Sequence, residues 1–161
     1  MKKILLTAAA VFAFSFANAQ DTKFGAKAGL DMVSYSAGAG SSFSATGFFF
    51  GGFAEFGIAD KITLQPGLNY HTASKEGVKA TYLSVPVLLK YGVADKINLL
   101  AGPALYYNMD SEATANKSTF NLNIGGSYDI TENLTIEPSY SLGLTGDYKV
   151  NHFLIGLGYK F

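Results

Sequence analysis

The chain has no cysteine and no tryptophan, and only four of its 161 residues are proline. Without cysteine it has no disulfide and no thiol to which a lipid anchor could be attached. Its apolar runs are also too short for a membrane-spanning helix, which needs about 20 apolar residues. No amphipathic helical periodicity appears after the first 19 residues. Sheet pairing and apolar burial must therefore stabilise the fold.

The longest apolar run lies at residues 4–16, near the start of the chain. It follows Met1-Lys2-Lys3 and precedes three small residues at 17–19. A basic, an apolar and a small-residue segment in this order predict a secretory signal peptide over residues 1–19. The mature domain would then comprise residues 20–161, because cleavage is expected after the small residues.

Charged residues are sparse, at 15% of the chain. Removing the two lysines of the leader leaves 10 basic against 12 acidic side chains, a formal charge of −2. This balance argues against nucleic acid as a partner, since nucleic-acid-binding domains carry a basic face. The abundant residues are instead glycine, with 18 copies, and aromatics, with 10 Tyr and 13 Phe.

An eight-residue segment occurs twice, as Gly57–Leu64 and, 35 residues later, as Gly92–Leu99. A looser third copy occupies Tyr128–Thr135. Each copy places a polar tripeptide between two runs that alternate large apolar with small or polar residues. Alternation indicates a strand with two different faces, and a short polar break between two strands indicates a hairpin. Pairing residues at equal distances from each turn centre keeps one apolar face in all three hairpins, which predicts the register.

The same alternation divides the mature chain into eight strands, joined by three tight turns and four longer loops. An even number of strands of about ten residues, with turns at one end and loops at the other, is typical of a membrane barrel. The predicted fold class is therefore all-β, an eight-stranded antiparallel, up-and-down transmembrane β-barrel preceded by a cleaved signal peptide. The predicted strands are Thr22–Val33, Phe43–Ile58, Ile62–Ala73, Thr81–Val93, Ile97–Met109, Ser118–Ile130, Leu134–Thr145 and Val150–Phe161.

Pro66, Pro86, Pro103 and Pro138 all fall within predicted strands. A closed barrel has no free edge on which a residue without an N–H group can be accommodated. Because each proline removes one ladder hydrogen bond, we expect β-bulges at these four positions.

One face of the strands carries Leu, Ile, Val, Phe and Tyr, and the other carries mostly Gly, Ser, Thr and Asn with scattered charges. A soluble barrel would turn the apolar face inward around a ligand and leave the charges outside. Five aromatic residues favour the opposite arrangement, because they lie at comparable heights near the turn end. These are Phe24, Phe56, Tyr91, Tyr128 and Tyr159. An aromatic girdle is typical of a lipid–water boundary, so the apolar face is predicted to meet lipid.

Three segments, together with a Phe/Gly-rich second strand, resemble the PorT-like outer-membrane β-barrel family of Bacteroidetes. They are Tyr82–Tyr91, Leu64–Tyr70 and Tyr159–Phe161. The resemblance covers essentially the whole mature chain and implies a bacterial outer-membrane location, with lipid bilayer and lipopolysaccharide as surroundings. It also implies insertion by the outer-membrane assembly machinery, which reads a C-terminal aromatic residue such as Phe161. No catalytic residues carry over from this family.

The inward face is predicted to hold a buried ionic layer near the turn end. Glu55, Lys90 and Glu137 each lie five residues from the centre of a turn, and therefore share roughly one height. Lys27 lies about one pleat deeper. Two positive and two negative charges cancel, as they must where an unpaired buried charge is very costly. The alternative is that each group meets water near the rim.

Two histidines, His71 and His152, are predicted to face inward near the loop end. With a nearby serine, Ser84 for the first and Ser139 or Ser141 for the second, they allow the hypothesis of a barrel hydrolase acting on lipid or peptide. The sequence shows no carboxylate placed to orient either histidine, and no cluster with metal-ligand spacing. We therefore predict no catalytic residue, no metal and no cofactor, and a non-enzymatic structural or surface-interaction role.

We expect the protein to insert into the outer membrane as a heat-resistant, monomeric barrel. A closed ladder of strands resists unfolding by detergent, so unheated protein should migrate faster than boiled protein in gel electrophoresis. Fractionation with the periplasmic contents would contradict the assignment of the apolar face to lipid.

Overall fold

A computed structural model shows eight antiparallel strands closed into one barrel, as the alternation predicted. The structure describes residues 22–37, 41–75, 78–110, 117–145 and 149–161. The predicted signal peptide lies outside the described residues. The strands are β1 (Thr22–Ala37), β2 (Ser41–Ala59), β3 (Ile62–Lys75), β4 (Val78–Ala94), β5 (Ile97–Asn108), β6 (Ser118–Asp129), β7 (Leu134–Gly143) and β8 (Lys149–Lys160).

Each strand pairs with its neighbours in chain order, and β8 pairs with β1 to close the sheet. Among the described residues there is no helix that is long and apolar enough to cross a membrane.

The first four strands are longer at the loop end than the sequence indicated. The ladder between β1 and β2 continues to the pair Ala37 and Ser41, within the segment 34–42 that was predicted to be a loop. The ladder between β3 and β4 likewise reaches Lys75, inside the predicted loop 74–79. The added pairs between β1 and β2 contain mostly Ser and Ala, whose preference against strands is weak, so pairing with the neighbouring strand overrides it.

The two copies of the repeated octet form the same turn. Lys61 and Lys96 have positive φ angles of 62° and 66°, and the register shifts by one residue just before each turn. In the first copy Ala59, rather than Ile58, pairs with Ile62. A residue in the left-handed backbone conformation beside a bulge lets a short turn follow the twist of the two strands. The symmetric register is thus confirmed for the pairs farther from these turns and wrong for the closing pair.

The β-bulges expected at the four prolines are not found. Pro66 pairs with Val87, and the ladder resumes in the same register where Asn69 faces Ser84. The described ladders around the other three prolines also keep one register on both sides. A missing N–H removes one hydrogen bond, but the pairs on either side hold the strands in place, so no extra residue is needed.

Exposure alternates along the strands and separates an apolar outer face from a largely polar inner one. On β5, Leu99 is 55% exposed whereas the adjacent Leu100 is 2% exposed. Most large apolar side chains point outward, and the buried set includes many polar and charged residues. A water-soluble protein has the opposite distribution. The outer face is therefore built to meet lipid, which excludes the soluble-barrel arrangement.

Four of the five residues assigned to the aromatic girdle are exposed on this outer face, to 48–51%. They are Phe24, Tyr91, Tyr128 and Tyr159. Phe56 does not share this exposure: it is 3% exposed, and Ala54 beside it on the same face is 7% exposed. Phe56 lies between Thr22 and Leu64 in the two ladders. Phe56 therefore does not show the exposure of the other four residues.

The lumen is filled with side chains. Phe49, Phe53, Leu88 and Leu100 are buried in it at 2–5% exposure. Toward the loop end, a buried apolar cluster closes the interior, consisting of Val33, Ala45, Ala73 and Val150. An eight-stranded barrel is just wide enough for its side chains to fill it. Polar groups inside it must therefore find partners among themselves.

Two glycines on opposite faces of the sheet offer a matched test of this packing. At Gly29, facing the lumen, an added Cβ would overlap the carbonyl oxygen of Ile155 and lie 2.7 Å from the Cα of Gly156. At Gly52, on the outer face, the nearest atom would be the carbonyl oxygen of Gly25 at 3.7 Å.

We expect Gly29→Ala to lower the free energy of unfolding by about 1–3 kcal/mol, because backbone atoms cannot rotate away. Gly52→Ala should change it by less than about 0.5 kcal/mol. Urea unfolding in detergent micelles measures both, and equal losses would contradict the assignment of the two faces.

Candidate functional site

The structure brings together the four residues predicted to form the ionic layer. Lys27 Nζ lies 2.7 Å from Glu137 Oε2, and Lys90 Nζ lies 2.9 Å from Glu55 Oε1. All four residues are only 6–8% exposed, so they have little contact with water. One pair joins β1 to β7 and the other joins β2 to β4. Each pair thus skips a strand, and the side chains reach across the lumen.

Gln65 connects the two ion pairs and was not among the predicted site residues. It is 1% exposed. Its Nε2 donates to Glu55 Oε1 at 3.1 Å and to Glu137 Oε1 at 3.3 Å, and its Oε1 accepts from Lys27 Nζ at 3.2 Å. Gln65 could have been predicted from its position, because it lies opposite Glu55 in the first hairpin and therefore at the same height.

A third ion pair extends the layer to the rim. Lys160 Nζ donates to Asp129 Oδ1 at 3.0 Å, and Lys90 Nζ lies 3.9 Å from the same oxygen. Asn98 Nδ2 donates to the other oxygen of Asp129 at 3.1 Å. The Asp129 side chain is 23% exposed, so solvent reaches this end. With three lysines and three carboxylates, the layer is neutral.

A second polar layer, nearer the loop end, contains Asp31, His71 and His152, which we call the histidine cluster. His71 Nδ1 lies 2.8 Å from Asp31 Oδ2, and His152 Nδ1 lies 3.1 Å from both carboxylate oxygens. All three residues are 0–1% exposed. A carboxylate only accepts hydrogen bonds, so each Nδ1 carries the proton that it donates.

The sequence showed no carboxylate that could orient a histidine, and this was wrong, because Asp31 orients both. Asp31 is 40 residues from His71 and 121 residues from His152 along the chain. Closure of the barrel places β1 beside β8, where Val33 pairs with His152. No turn connects these two strands, so their register cannot be counted from a hairpin.

Asp31, His71 and Ser84 reproduce the carboxylate–imidazole–hydroxyl order of a serine hydrolase. His71 Nε2 lies 2.8 Å from Ser84 Oγ, which is one of the pairings that the hydrolase hypothesis named. Ser84 is only 1% exposed, however. A nucleophile has to reach its substrate, so the arrangement provides orientation without access.

Aromatic rings hold the histidine cluster in place. The His152 ring stacks on Tyr106 with centroids 4.4 Å apart, and the edge of Tyr82 meets it at 5.8 Å. The His71 ring stacks on Phe49 at 5.5 Å. These contacts fix both imidazoles and, with the apolar cluster at the loop end, separate them from solvent.

The ligand atoms of Asp31, His71 and His152 all lie within 4.8 Å of one another, so the three residues are a candidate metal-binding group. The sequence showed no such group because the three residues come from three different strands. Two buried atoms at this site have no hydrogen-bond partner: Nε2 of His152 itself, and Oδ1 of Asn69. The amide nitrogen of Asn69 donates to Ser84 Oγ at 3.4 Å.

Phe161, the predicted assembly signal, lies just beyond β8 and is 76% exposed. Its backbone nitrogen donates to the carbonyl oxygen of Phe24 at 2.8 Å. Its ring meets that of Tyr159 edge-on at 5.7 Å. The C-terminal aromatic residue is therefore presented on the outer face at the turn end.

The chain matches the family model described as outer membrane protein beta-barrel domain over residues 4–161. Comparison with curated proteins finds no match. Among solved structures, the chain is similar to Ail, the attachment invasion locus protein of Yersinia pestis. That similarity has a TM-score of 0.62 at 15% identity and covers 88% of this chain and 100% of Ail.

Neisserial surface protein A gives a TM-score of 0.60 at 17% identity, covering 86% of this chain and 97% of that one. A de novo designed transmembrane beta-barrel gives 0.52 at 14% identity, covering 86% and 95%. At these identities the similarity shows the fold alone.

The ionic layer makes a specific prediction for Lys90, because Lys90→Met leaves the buried Glu55 carboxylate without its ion pair. We expect the free energy of unfolding to fall by about 3–5 kcal/mol, as measured by urea unfolding in detergent or lipid. Adding Glu55→Gln should recover part of the loss, since it removes the uncompensated charge. Lys23→Met, at an exposed lysine of the same end, is the control. Strictly additive effects, or no effect of Lys90→Met, would show that the layer does not stabilise the barrel.

Proposed function

Because the chain belongs to the outer membrane protein beta-barrel domain family, we propose that it serves as a closed, non-catalytic barrel with a structural or surface-contact role in the envelope. Its location is the bacterial outer membrane. The observation that carries the proposal is the lumen, where buried charges pair with one another across the barrel. Such an interior supports neither a channel nor an exposed reactive group.

A conducting role is disfavoured by what fills the lumen. Apolar side chains such as Phe53 and Leu100 are buried in it, and the ion pairs Lys27–Glu137 and Lys90–Glu55 cross it. Open aqueous channels occur in barrels of about 16 strands, whereas eight strands leave room only for side chains.

A catalytic role is disfavoured by burial. The one arrangement with hydrolase-like geometry among the described residues ends at Ser84, which is 1% exposed. The hydroxyl contacts the buried His71 and Asn69, so an acyl substrate cannot reach it without opening of the sheet. We therefore assign His71 and Ser84 to the architecture of the lumen.

The lengths of the strands support the surface-contact part of the proposal. β1 to β4 have 14 to 19 residues, whereas β5 to β8 have 10 to 12. A tilted strand crosses the membrane with about 9–11 residues. In outer-membrane barrels the short turns face the periplasm and the loops face outward. The first four strands would therefore extend beyond the bilayer on the outer side as a raised wall.

The names of two proteins with this fold, an attachment invasion locus protein and a surface protein, agree with such a role. We further propose contact of the outer face with lipopolysaccharide and a monomeric state. Phe161 would serve as the signal for the assembly machinery, and cleavage would precede Gln20. The finer PorT-like assignment rests on the segment Tyr82–Tyr91 and is likewise a proposal.

We expect negligible ion conductance from the purified protein in a planar bilayer, because its lumen is filled and its charges are paired. The control is a porin of about 16 strands reconstituted in the same lipid. Large stepwise currents that increase with protein concentration would contradict the closed lumen.

Complementation tests the proposed role in cells. A strain lacking the protein should become more permeable to a dye that the intact envelope excludes, and the wild-type gene should restore exclusion. Ser84→Ala should restore it equally well, because no reaction depends on that hydroxyl. Heat-dependent gel migration would confirm that this variant folds. Failure of a folded Ser84→Ala protein to complement, together with hydrolysis of a lipid or peptide substrate by wild type and not by this variant, would favour the hydrolase hypothesis instead.

A further inference from the structure

Asp31 is the one carboxylate in the described part of the lumen that has no lysine partner. Its side-chain contacts are with His71 and His152, whereas the carboxylates of the ionic layer each meet a lysine. Asp31 is also 0% exposed. A buried charge without a counter-ion is very costly. With both imidazoles neutral, the histidine cluster carries one excess negative charge, which a cation would neutralise.

The donor atoms around this charge are those of a metal site. Two imidazole nitrogens and one carboxylate oxygen form a common ligand set for divalent zinc, iron, cobalt and nickel. Both Nδ1 atoms point at the same carboxylate, and the ligand atoms converge within 4.8 Å. We propose that Asp31, His71 and His152 bind one divalent transition-metal ion, with Zn²⁺ as the ion that best suits this set.

Binding would exchange the hydrogen bonds of the two Nδ1–H groups for three coordinate bonds, one from each imidazole and one from the carboxylate. In the metal-free protein each Nδ1 carries a proton that it donates to Asp31. On binding, each imidazole loses its Nδ1 proton and gains one at Nε2. Both rings remain neutral, and no net proton is released. The metal then takes the place that the two Nδ1 protons occupied between the imidazoles and the carboxylate.

The surroundings of His71 can support this change of tautomer. His71 Nε2–H would donate to Ser84 Oγ over the present 2.8 Å. The Ser84 hydroxyl would then donate to Asn69, provided that the amide of Asn69 turns so that its oxygen faces Ser84. That oxygen now lacks a partner, so the turn would satisfy it. Metal-ligating histidines usually donate their second N–H to a fixed partner of this kind. Ser84 and Asn69 are thus positioning residues.

A bound ion would connect the strands that close the barrel. Asp31 lies on β1, His71 on β3 and His152 on β8, so the three ligands span the seam between the first and last strands. The cluster is 0–1% exposed, and the apolar cluster lies between it and the loop end. An ion would therefore be loaded as the strands close and would leave only when they part.

The composition of the chain makes the test unambiguous. It has no cysteine and two histidines, both in the cluster, so any imidazole coordination must come from this site. The full mature chain is unfolded in urea with a chelator and refolded into detergent with Zn²⁺ or Co²⁺. Free metal is then removed, and the bound metal is measured by elemental analysis. We expect about one ion per chain, and with Co²⁺ a visible absorption band from the coordinated ion.

The variants identify the ligands. Asp31→Asn, His71→Gln, His152→Gln and the double histidine variant should each lose the retained metal. Ser141→Ala should still retain the metal, because it removes a buried hydroxyl that lies beside His152 but is not one of the ligands. Zn²⁺ present during refolding should raise the urea midpoint of wild type and slow its unfolding, without effect on the double variant. Heat-dependent migration shows which variants fold.

Two outcomes would overturn the proposal. One is folded wild-type protein that retains no metal after refolding with Zn²⁺ or Co²⁺ and shows no Co²⁺ band. This outcome does not require any variant to fold, because wild type alone lacks the signal. The other is metal-free protein in which an imidazole resonance titrates near neutral pH while Zn²⁺ changes neither resonance. In that case a proton on one imidazole, rather than a metal ion, neutralises Asp31.

Discussion

Charge cancellation inside a narrow lumen is the constraint on which the rest of this structure depends. Eight strands leave an interior that side chains fill, so a charged group there has little water to solvate it. Lys27 and Lys90 therefore reach across the barrel to Glu137 and Glu55, and Gln65 supplies hydrogen bonds to both pairs. Because these charges pair with one another inside the barrel, the outer face can be apolar, as a lipid bilayer requires.

The same constraint explains why residues arranged as in a catalytic site are not accessible to a substrate. Asp31, His71 and Ser84 show the geometry of a catalytic relay, yet the polar groups are buried because they satisfy one another rather than a substrate. Orientation and access are different properties, and the lumen supplies the first without the second. We propose that contact with other molecules is made instead by the longer strands β1 to β4.

The sequence predicted the features that follow from alternation along a strand or from counting residues from a turn. Eight strands, their order and their two faces follow from the alternation, and the four ionic residues were found by counting along the strands. Features that depend on several strands were missed. Asp31 meets His152 across the closing seam and His71 across the lumen, and the burial of Phe56 does not follow from strand parity. The prolines kept the register because flanking pairs held it, which local chemistry does not reveal.

The most direct test of the inside-out arrangement compares two adjacent leucines in a bilayer. The protein, with labelled leucine methyl groups, is reconstituted in lipid, and magnetisation transfer from acyl-chain protons is recorded by NMR. Leu99→Ile and Leu100→Ile assign the two signals without changing the apolar character of either site. Leu99, 55% exposed, should receive strong transfer, and Leu100, 2% exposed, should receive none. Transfer to Leu100 with none to Leu99 would contradict the account.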